Sequence, residues 1–187
     1  MDTKLNDTWT LYFHAKNLHK KYNDNTSKII EIDNIKTFWG ALNNLPKPTE
    51  MFSEPGKYNK IVKRTGETPA ALSLFRKNSY PTWEDLTNQN GFEWSLKKYK
   101  DFNLINDLWI NILVKTIGEN FEHSNILNGV RIVDCSIDFK IIYRLEFWFS
   151  DKNFKDYFES KVKEFLELSN NIKLLYRDHT TLKESRN

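Results

Sequence analysis

The chain has 187 residues, 39% of them hydrophobic and 28% charged, with a formal net charge of +3 at pH 7. This composition excludes a disordered chain and predicts a single globular domain over residues 1–187. The N-terminus has no signal-peptide pattern, no apolar run is long enough to span a membrane, and the single cysteine, Cys135, excludes an internal disulfide. We therefore expect a monomer without membrane association, located in the cytoplasm or the nucleus.

Two strands and a helix are predicted near the N-terminus. Residues 8–14, TWTLYFH, alternate between two sets of side chains, which is typical of a strand with two different faces. The two sets are Trp9, Leu11, Phe13 and Thr10, Tyr12, His14. Residues 27–32, SKIIEI, indicate a second strand. Asp33 is a suitable N-cap for the helix that follows. The apolar positions of that helix are Ile35, Phe38, Trp39 and Leu42.

Residues 45–71 are predicted to form a long loop, because they hold four of the five prolines. Two further strands, LSLFRK at 72–77 and FEWSLKKY at 92–99, then flank a second loop. In that loop Trp83 is followed directly by Glu84. Pro81 favours extended backbone before it, and the asparagines and the glycine that follow Trp83 favour turns. A flat ring beside a carboxylate, on a loop, suits a flat ligand that donates hydrogen bonds.

The second half of the chain alternates helices and strands. The pattern predicts a helix at 102–118 with one broad apolar face, a hairpin of 129–137 and 140–149, an amphipathic helix at 151–168, a strand at 171–177 and a flexible tail at 180–187. These elements predict an α+β fold, with one antiparallel sheet and helices on one of its faces.

Several kinds of chemistry have no support in the sequence. There is no glycine-rich phosphate loop and no nucleophile elbow, and the four histidines have no zinc-site spacing with Cys135. Glu84 and Asp85 could form an acid/base pair, but neighbouring residues on a strand point apart. We therefore predict a binding protein that needs no cofactor, with an acid-catalysed nucleotide enzyme acting through Glu84 as a weaker alternative.

Four segments carry a family resemblance. In order they are WTLYFH, IKTFWGALNNL, SLFRKNSYPTWEDLTNQNGFEW and LWINILVKTIGENF. They resemble the mRNA cap-binding translation initiation factor 4E family, and the likeness extends from Trp9 to about His179. The resemblance implies a curved antiparallel sheet with about three helices on its convex face, and a 7-methylguanosine cap held in its concave face. Residues 55–70 have no family counterpart and look like an insertion.

The resemblance also implies how the cap base is held. Trp83 matches one of two rings that sandwich the base, Glu84 matches the acid that binds its edge, and Tyr22 stands where most members have the second tryptophan. Stacking contributes about 1–3 kcal/mol per base, and the methylated base is a cation that aromatic faces attract. A carboxylate can accept two hydrogen bonds from guanine. The alternatives are core packing for Trp83 and an ordinary exposed tyrosine for Tyr22.

The phosphate ligands depart from the family pattern. Lys140 matches the family's lysine, but Cys135 falls at its arginine and Arg144 at a third tryptophan. We predict that Arg144 replaces the missing arginine, with Arg177 or Lys183 closing over the phosphates, because a guanidinium can bind phosphate oxygens in pairs. The alternative is that Arg144 is a surface residue paired with Glu146.

Partner binding is implied on the opposite side of the sheet. Family members bind a scaffold or repressor protein through a helix with the pattern Tyr-x-x-x-x-Leu-apolar. The matching positions are Ile35, Trp39, Ile110, Val114 and Gly118. Ile110 and Val114 could equally be plain core, and Asn111 replaces an acid that the family usually has.

The resemblance therefore predicts a protein that binds the cap and recruits a scaffold for translation initiation. Two alternatives are a cap-binding translational repressor, since tyrosine at position 22 occurs in that branch of the family, and an interaction module that has lost cap binding.

Overall fold

The computed structural model describes residues 2–17, 23–53, 67–99, 102–137 and 141–184. In these residues the strands are β1 (Lys4–Lys16), β2 (Thr26–Asn34), β3 (Thr68–Arg76), β4 (Phe92–Tyr99), β5 (Leu127–Asp134), β6 (Ile142–Phe149) and β7 (Leu175–Asp178). The helices are α1 (Ile35–Asn44), α2 (Pro48–Phe52), α3 (Phe102–Gly118), α4 (Lys155–Phe165) and α5 (His179–Glu184). The strands form one curved antiparallel sheet in the order β2-β1-β3-β5-β6-β4-β7. The predicted α+β class is confirmed, with two short helices, α2 and α5, beyond the three expected.

The two faces of the sheet carry different side chains, because alternate residues of a strand point to opposite sides. On the helix side, strand residues pack against α1–α4 in the main core. This core includes Trp9, Leu11, Leu74, Val130, Ile132, Leu145 and Phe147 from the strands and Phe38, Phe52, Trp109, Ile112 and Phe158 from the helices. The other side, which we call the concave face, carries Tyr12, His14, Phe75, Arg131, Arg144, Glu146 and Trp148. The predicted alternation in residues 8–14 is therefore confirmed.

The helices form largely where the apolar spacing predicts them. Helix α3 buries Ile105, Trp109, Ile112, Leu113 and Ile117, as the predicted face requires. The predicted N-cap of α1, Asp33, is wrong by one residue. The Oδ1 atom of Asn34 accepts the hydrogen bond from the Thr37 amide at 2.7 Å, because strand β2 continues through Asp33.

Some predicted boundaries differ from the structure. The predicted loop at 45–71 contains helix α2, which Pro48 can begin because a first-turn residue needs no amide hydrogen bond, and strand β3, which starts at Thr68. The described part of the predicted insertion at 55–70 therefore includes strand residues, whereas residues 54–66 lie outside the description. Helix α4 follows a 3-10 turn capped by Asp151, and the last strand is shorter than predicted. Helix α5 lies on the segment predicted as a flexible tail, whose flexibility stays a prediction.

Arg76 explains the glutamate of the sequence IGE, in which Ile117 and Gly118 end α3 and Glu119 follows it. Its guanidinium binds the carboxylates of Glu119, at 2.5 Å, and of Asp7, and it lies 4.7 Å from the centroid of the Trp9 ring. Its Nε atom donates to the carbonyl of Leu127 at 2.9 Å. Glu119 has a positive φ of 47°, which ends the helix and turns the carboxylate toward Arg76. This part of the family motif therefore holds the fold together and does not face a ligand.

Candidate functional site

The Trp83 loop, residues 77–91, joins β3 to β4 across the end of the sheet, where β5 and β6 lie between them. The buried side chain of Asn88 holds this loop from inside. Its Nδ2 atom donates to the carbonyls of Tyr80 at 2.7 Å and Thr82 at 3.0 Å, and its Oδ1 atom accepts from Asn128 at 2.9 Å. The asparagine that the sequence indicated as a turn former thus fixes the backbone directly before Trp83.

Trp83 belongs to a small aromatic cluster on the concave face that is separate from the main core. It packs with Tyr80 against the buried side chains of Tyr12, Phe75 and Trp148. The rings of Trp83 and Trp148 are nearly parallel, with an interplanar angle of 18° and 6.4 Å between their centroids. Trp83 is only half-buried. The core-packing alternative therefore describes only part of its surface.

Trp148 is the aromatic residue that sequence reasoning missed. Its side chain is buried, and its Nε1 atom donates a hydrogen bond of 3.1 Å to Oε2 of Glu146. The guanidinium of Arg131 lies 4.9 Å from its ring centroid. The signal was available, because Trp148 follows Arg144 and Glu146 at alternate positions of β6 and must share their face.

Space for the cluster depends on a glycine. The ring of Phe75 lies edge-on to Trp148, with 5.4 Å between centroids, and directly over Gly129 of the neighbouring strand. A Cβ atom at position 129 would lie 2.4 Å from the Phe75 ring, which is too close for any side chain. Gly129 therefore allows the aromatic cluster to sit against the sheet.

A buried carboxylate organises the cations of the concave face. The side chain of Glu146 is fully buried and accepts hydrogen bonds of 2.6 Å from Nε of Arg131 and 2.6 Å from Nε of Arg144. Burial alone would raise the pKa of Glu146, but the two guanidinium groups outweigh it and lower this pKa to about 2. Glu146 is therefore ionised at neutral pH, and one negative charge faces two positive charges.

His14 completes this side of the concave face as a neutral group. Its ring nitrogens lie 3.1 Å from Oγ1 of Thr26 and 2.7 Å from Oγ of Ser73. Burial and, second to it, the nearby charge of Arg131 together lower the pKa of His14 to about 3. The imidazole adds hydrogen bonds but no charge at neutral pH.

Strand β4 adds a second buried acid, Glu93, which stands opposite Trp148. Its Oε1 atom lies 3.3 Å from Nη1 of Arg177, and its Oε2 atom lies 3.8 Å from Nε2 of the buried His179. The other ring nitrogen of His179 lies 2.8 Å from the carbonyl oxygen of Asn88. Strand β7 and helix α5 are thus attached to the Trp83 loop at this point.

The structure describes some of the predicted ligand residues. Trp83, the exposed Glu84 and Arg144 are described; Tyr22 and Lys140 lie outside the described residues, as does the side chain of Lys183. Arg144 lies on the concave face, as predicted. It is also paired with Glu146, which was part of the alternative interpretation. Only 16% of its side chain is exposed, so it is not a surface residue.

The predicted partner residues lie on the helix side. Ile35, Trp39 and Val114 are 41%, 45% and 38% exposed, and we call the surface that they form with the half-buried Ile110 and the exposed Gly118 the dorsal groove. Ile110 also lines an open pocket, and the other walls of this pocket come from β1, β3, α1, α2, α3 and the segment between α1 and α2. The exposure of Val114 shows that the plain-core alternative is wrong for this residue, whereas the role of the set in partner binding stays a prediction.

Two further properties concern the described residues only. None of the histidine, cysteine, aspartate and glutamate side chains in the described ranges form a group of three that could hold a metal ion. In the same ranges, no helix has the length and apolar character needed to cross a membrane.

Comparison with known proteins identifies relatives along almost the whole chain. The family model described as eukaryotic initiation factor 4E matches residues 4–187. Eukaryotic translation initiation factor 4E1 of Drosophila melanogaster is 28% identical over 189 residues, covering 98% of this chain and 66% of the fly protein. Eukaryotic translation initiation factor 4E of Candida albicans is 29% identical over 188 residues, covering 94% of this chain and 78% of the yeast protein. The chain thus spans about two thirds of the fly protein.

Solved structures have the same fold. Caenorhabditis elegans eIF4E-3, in complex with the 4E-binding protein Mextli and a cap analog, superposes with a TM-score of 0.77 at 19% identity, covering 98% of this chain and 96% of that one. Schistosome eIF4E, in complex with m7GpppG and 4E-BP, gives a TM-score of 0.74 at 20% identity, covering 100% of this chain and 92% of that one. At these identities the likeness establishes the fold.

Proposed function

Since the chain belongs to the eukaryotic initiation factor 4E family, we propose that it binds the 7-methylguanosine cap of mRNA on its concave face and recruits a partner protein through its dorsal groove. The observation that carries the proposal is the placement of Trp83. Trp83 stands on a loop fixed by Asn88, and its half-buried ring packs against Trp148 of β6. The exposed carboxylate of Glu84 comes next in the chain.

The geometry suits a methylated guanine. A stacked base gains about 1–3 kcal/mol, and a held ring loses little freedom when the base binds. The positive charge of the methylated base adds attraction to the aromatic face. Glu84 can accept hydrogen bonds from the edge of the same base, and bonds to a carboxylate are stronger than neutral ones. Trp83 and Glu84 would thus bind the face and the edge of one ligand.

The second stacking ring is assigned to Tyr22 on the family resemblance. We expect Tyr22→Ala to weaken the binding of 7-methyl-GTP, whereas Tyr22→Trp keeps or tightens it, because tryptophan offers a better face to a cation. Unchanged affinity in Tyr22→Ala would transfer the role to another ring.

The phosphates are assigned to Arg144, with Lys140, which precedes β6 in the sequence, and Lys183 from the C-terminal segment. Arg144 donates to Glu146 through Nε, so the two terminal nitrogens of Arg144 can still donate to phosphate oxygens. Arg177 remains a candidate, but its pairing with Glu93 makes it a weaker one.

The direct test of cap binding is retention on immobilised 7-methyl-GTP. We expect the protein to be retained, and to be eluted by free 7-methyl-GTP but not by GTP at the same concentration. A protein that passes through the resin, or that GTP elutes equally well, would contradict the proposal and leave an interaction module without cap binding.

The dorsal groove is proposed to take a short helix with the pattern Tyr-x-x-x-x-Leu-apolar, since exposed apolar residues of α1 and α3 share one side. We expect Trp39→Ala to weaken such a peptide at least tenfold, because exposed tryptophans are frequent hot spots. Lys36→Ala, an exposed neighbour on the same helix, is the control. Equal losses in the two variants would contradict the assignment.

A scaffold for translation initiation and a repressor would use the same two faces, so only the identity of the partner separates these roles. The relatives carry the name of translation initiation factors, which favours a role in translation initiation. We infer that this role is carried out in the cytoplasm. We infer no enzyme activity. Incubation of capped RNA with the protein should yield no product, and a product that disappears in Glu84→Gln would contradict this.

A further inference from the structure

Lys97 lies beside Arg144 on the concave face. The two residues are direct partners in the β4–β6 ladder, and Lys97 alternates with Ser95 and Glu93 on the side away from the main core. The side chain of Lys97 is exposed, and none of the carboxylates in the described ranges pairs with it. We propose that Lys97 and Arg144 together bind phosphate groups of the capped RNA, a role that the sequence did not suggest for Lys97. This inference rests on the proposed function.

The position of this pair matches the place that phosphates would take. Arg144 lies four residues from Trp148 along β6, which corresponds to about 13 Å. This is the distance from the ring behind Trp83 to the pair of Lys97 and Arg144. Between them lies Glu146, paired across the sheet with Arg131. A nucleotide whose base stacks on Trp83 would direct its sugar and phosphates along this row toward Lys97.

The charges of the pair are unfavourable without an anion. Side chains directly opposite each other in an antiparallel ladder have Cβ atoms about 4.5–5.5 Å apart, and like charges there destabilise the sheet. Glu146 compensates Arg144 but must also compensate Arg131. Lys97 has no such acid, so its charge repels that of Arg144. Bound phosphate would remove this repulsion, because both cations could donate to one anion.

The neighbouring cation on the same side of β4 is not equivalent. Arg177 stands opposite Glu93, and its guanidinium lies 3.3 Å from that fully buried carboxylate. A phosphate that used Arg177 would have to approach Glu93, which is unfavourable for an anion. Of Lys97 and Arg177, Lys97 is therefore the better candidate to join Arg144 in binding an anion.

The test compares Lys97→Gln with the parent for binding of 7-methyl-GTP and of 7-methylguanosine, which has no phosphates. We expect the variant to bind the nucleotide about five- to tenfold more weakly and the nucleoside unchanged. The slope of log affinity against log salt concentration should fall by about one. The melting temperature without ligand should stay the same or rise, because a like-charge pair is removed. Lys36→Gln makes the same charge change on α1 and should have none of these effects.

Two results would overturn the inference alone: unchanged binding of 7-methyl-GTP by Lys97→Gln, or an equal loss for nucleotide and nucleoside. A loss of the same size in Lys36→Gln would show that only net charge matters, and would also overturn it. A parent protein that binds neither ligand would overturn the proposed function and this inference with it.

Discussion

The two faces of the sheet differ in chemistry even where they are equally buried. On β6, Leu145 and Phe147 point into the main core, whereas Glu146 and Trp148 point to the concave face, and all four are 0–1% exposed. The strand residues of the main core on the helix side are aliphatic and aromatic, and polar side chains that α2 and α3 bury, such as Thr49 and Asn106, carry no charge. The concave face buries a carboxylate, two guanidinium groups and an imidazole in the same strands.

This difference separates the residues that the fold needs from those that a ligand needs. Apolar burial stabilises a protein, whereas a buried charge network costs desolvation and is often no more stabilising than an apolar substitute. A sheet that needed only stability would have no use for the arrangement around Glu146. We interpret the charge network around Glu146 as the support of a binding surface. Substitutions on the two faces should therefore have different effects on stability and on ligand binding.

The largest effect is expected for Glu146→Gln. The variant keeps the shape of the side chain but leaves the cations of Arg131 and Arg144 without a buried anion, which typically costs about 3–5 kcal/mol. Chemical denaturation should show this loss of stability, and 7-methyl-GTP binding by the folded protein should also fall. A variant as stable as the parent would contradict the account of the concave face.

The neighbouring residue on the opposite face provides the matched experiment. Leu145→Ala should cost about 2–5 kcal/mol of stability, because it leaves a cavity in the main core. The folded fraction should bind 7-methyl-GTP as the parent does, since Leu145 does not reach the concave face. Reduced affinity at a temperature where the variant is fully folded would show that the two faces are not independent.

A smaller effect is expected in the pH dependence of stability, to which buried titratable groups of the concave face contribute. Because the pKa of His14 is lowered to about 3 in the folded state, the unfolded chain binds an extra proton below pH about 6.5, and stability falls as the pH decreases from there. The slope from this group is at most about 1.4 kcal/mol per pH unit. His14→Gln should flatten the fall between about pH 6.5 and 4.5, measured by denaturation at each pH.

Below about pH 4.5 Glu146 adds to the fall in stability that His14 causes. Its folded-state pKa of about 2 lies below the unfolded value, so its contribution is present above about pH 4.5 and is lost as the pH falls toward 2. An unchanged slope between pH 6.5 and 4.5 in His14→Gln would contradict the buried neutral state of His14.

Sequence patterns predicted the helix side better than the concave face. The period of α3 and the alternation of β1 indicate which residues enter the core, because apolar burial follows directly from spacing. The cap of α1 was misplaced because Asp33 and Asn34 are both suitable, and only the end of β2 decides between them. The short helix α2 was hidden among prolines that usually indicate a loop.

The contacts on the concave face depend on how the strands are aligned with one another, and a single sequence does not show this alignment. Arg131, Glu146 and Lys97 become neighbours of Arg144 only when β4, β5 and β6 are aligned, since β4 is far from β6 in the chain. Trp83 and Glu84 were predicted because one loop holds both. The pairing of Lys97 with Arg144 across the β4–β6 ladder could not be found in this way.

The central claim is that Trp83 and Glu84 form the base site, and titration of 7-methyl-GTP and GTP tests it directly. We predict that the parent prefers 7-methyl-GTP, and that Trp83→Ala and Glu84→Gln each lose about 1–3 kcal/mol of binding free energy while remaining folded. Leu86→Ala, on the same loop with a side chain 82% exposed, should bind as the parent does. If both site variants bound 7-methyl-GTP like the parent, the concave face would not be the cap site.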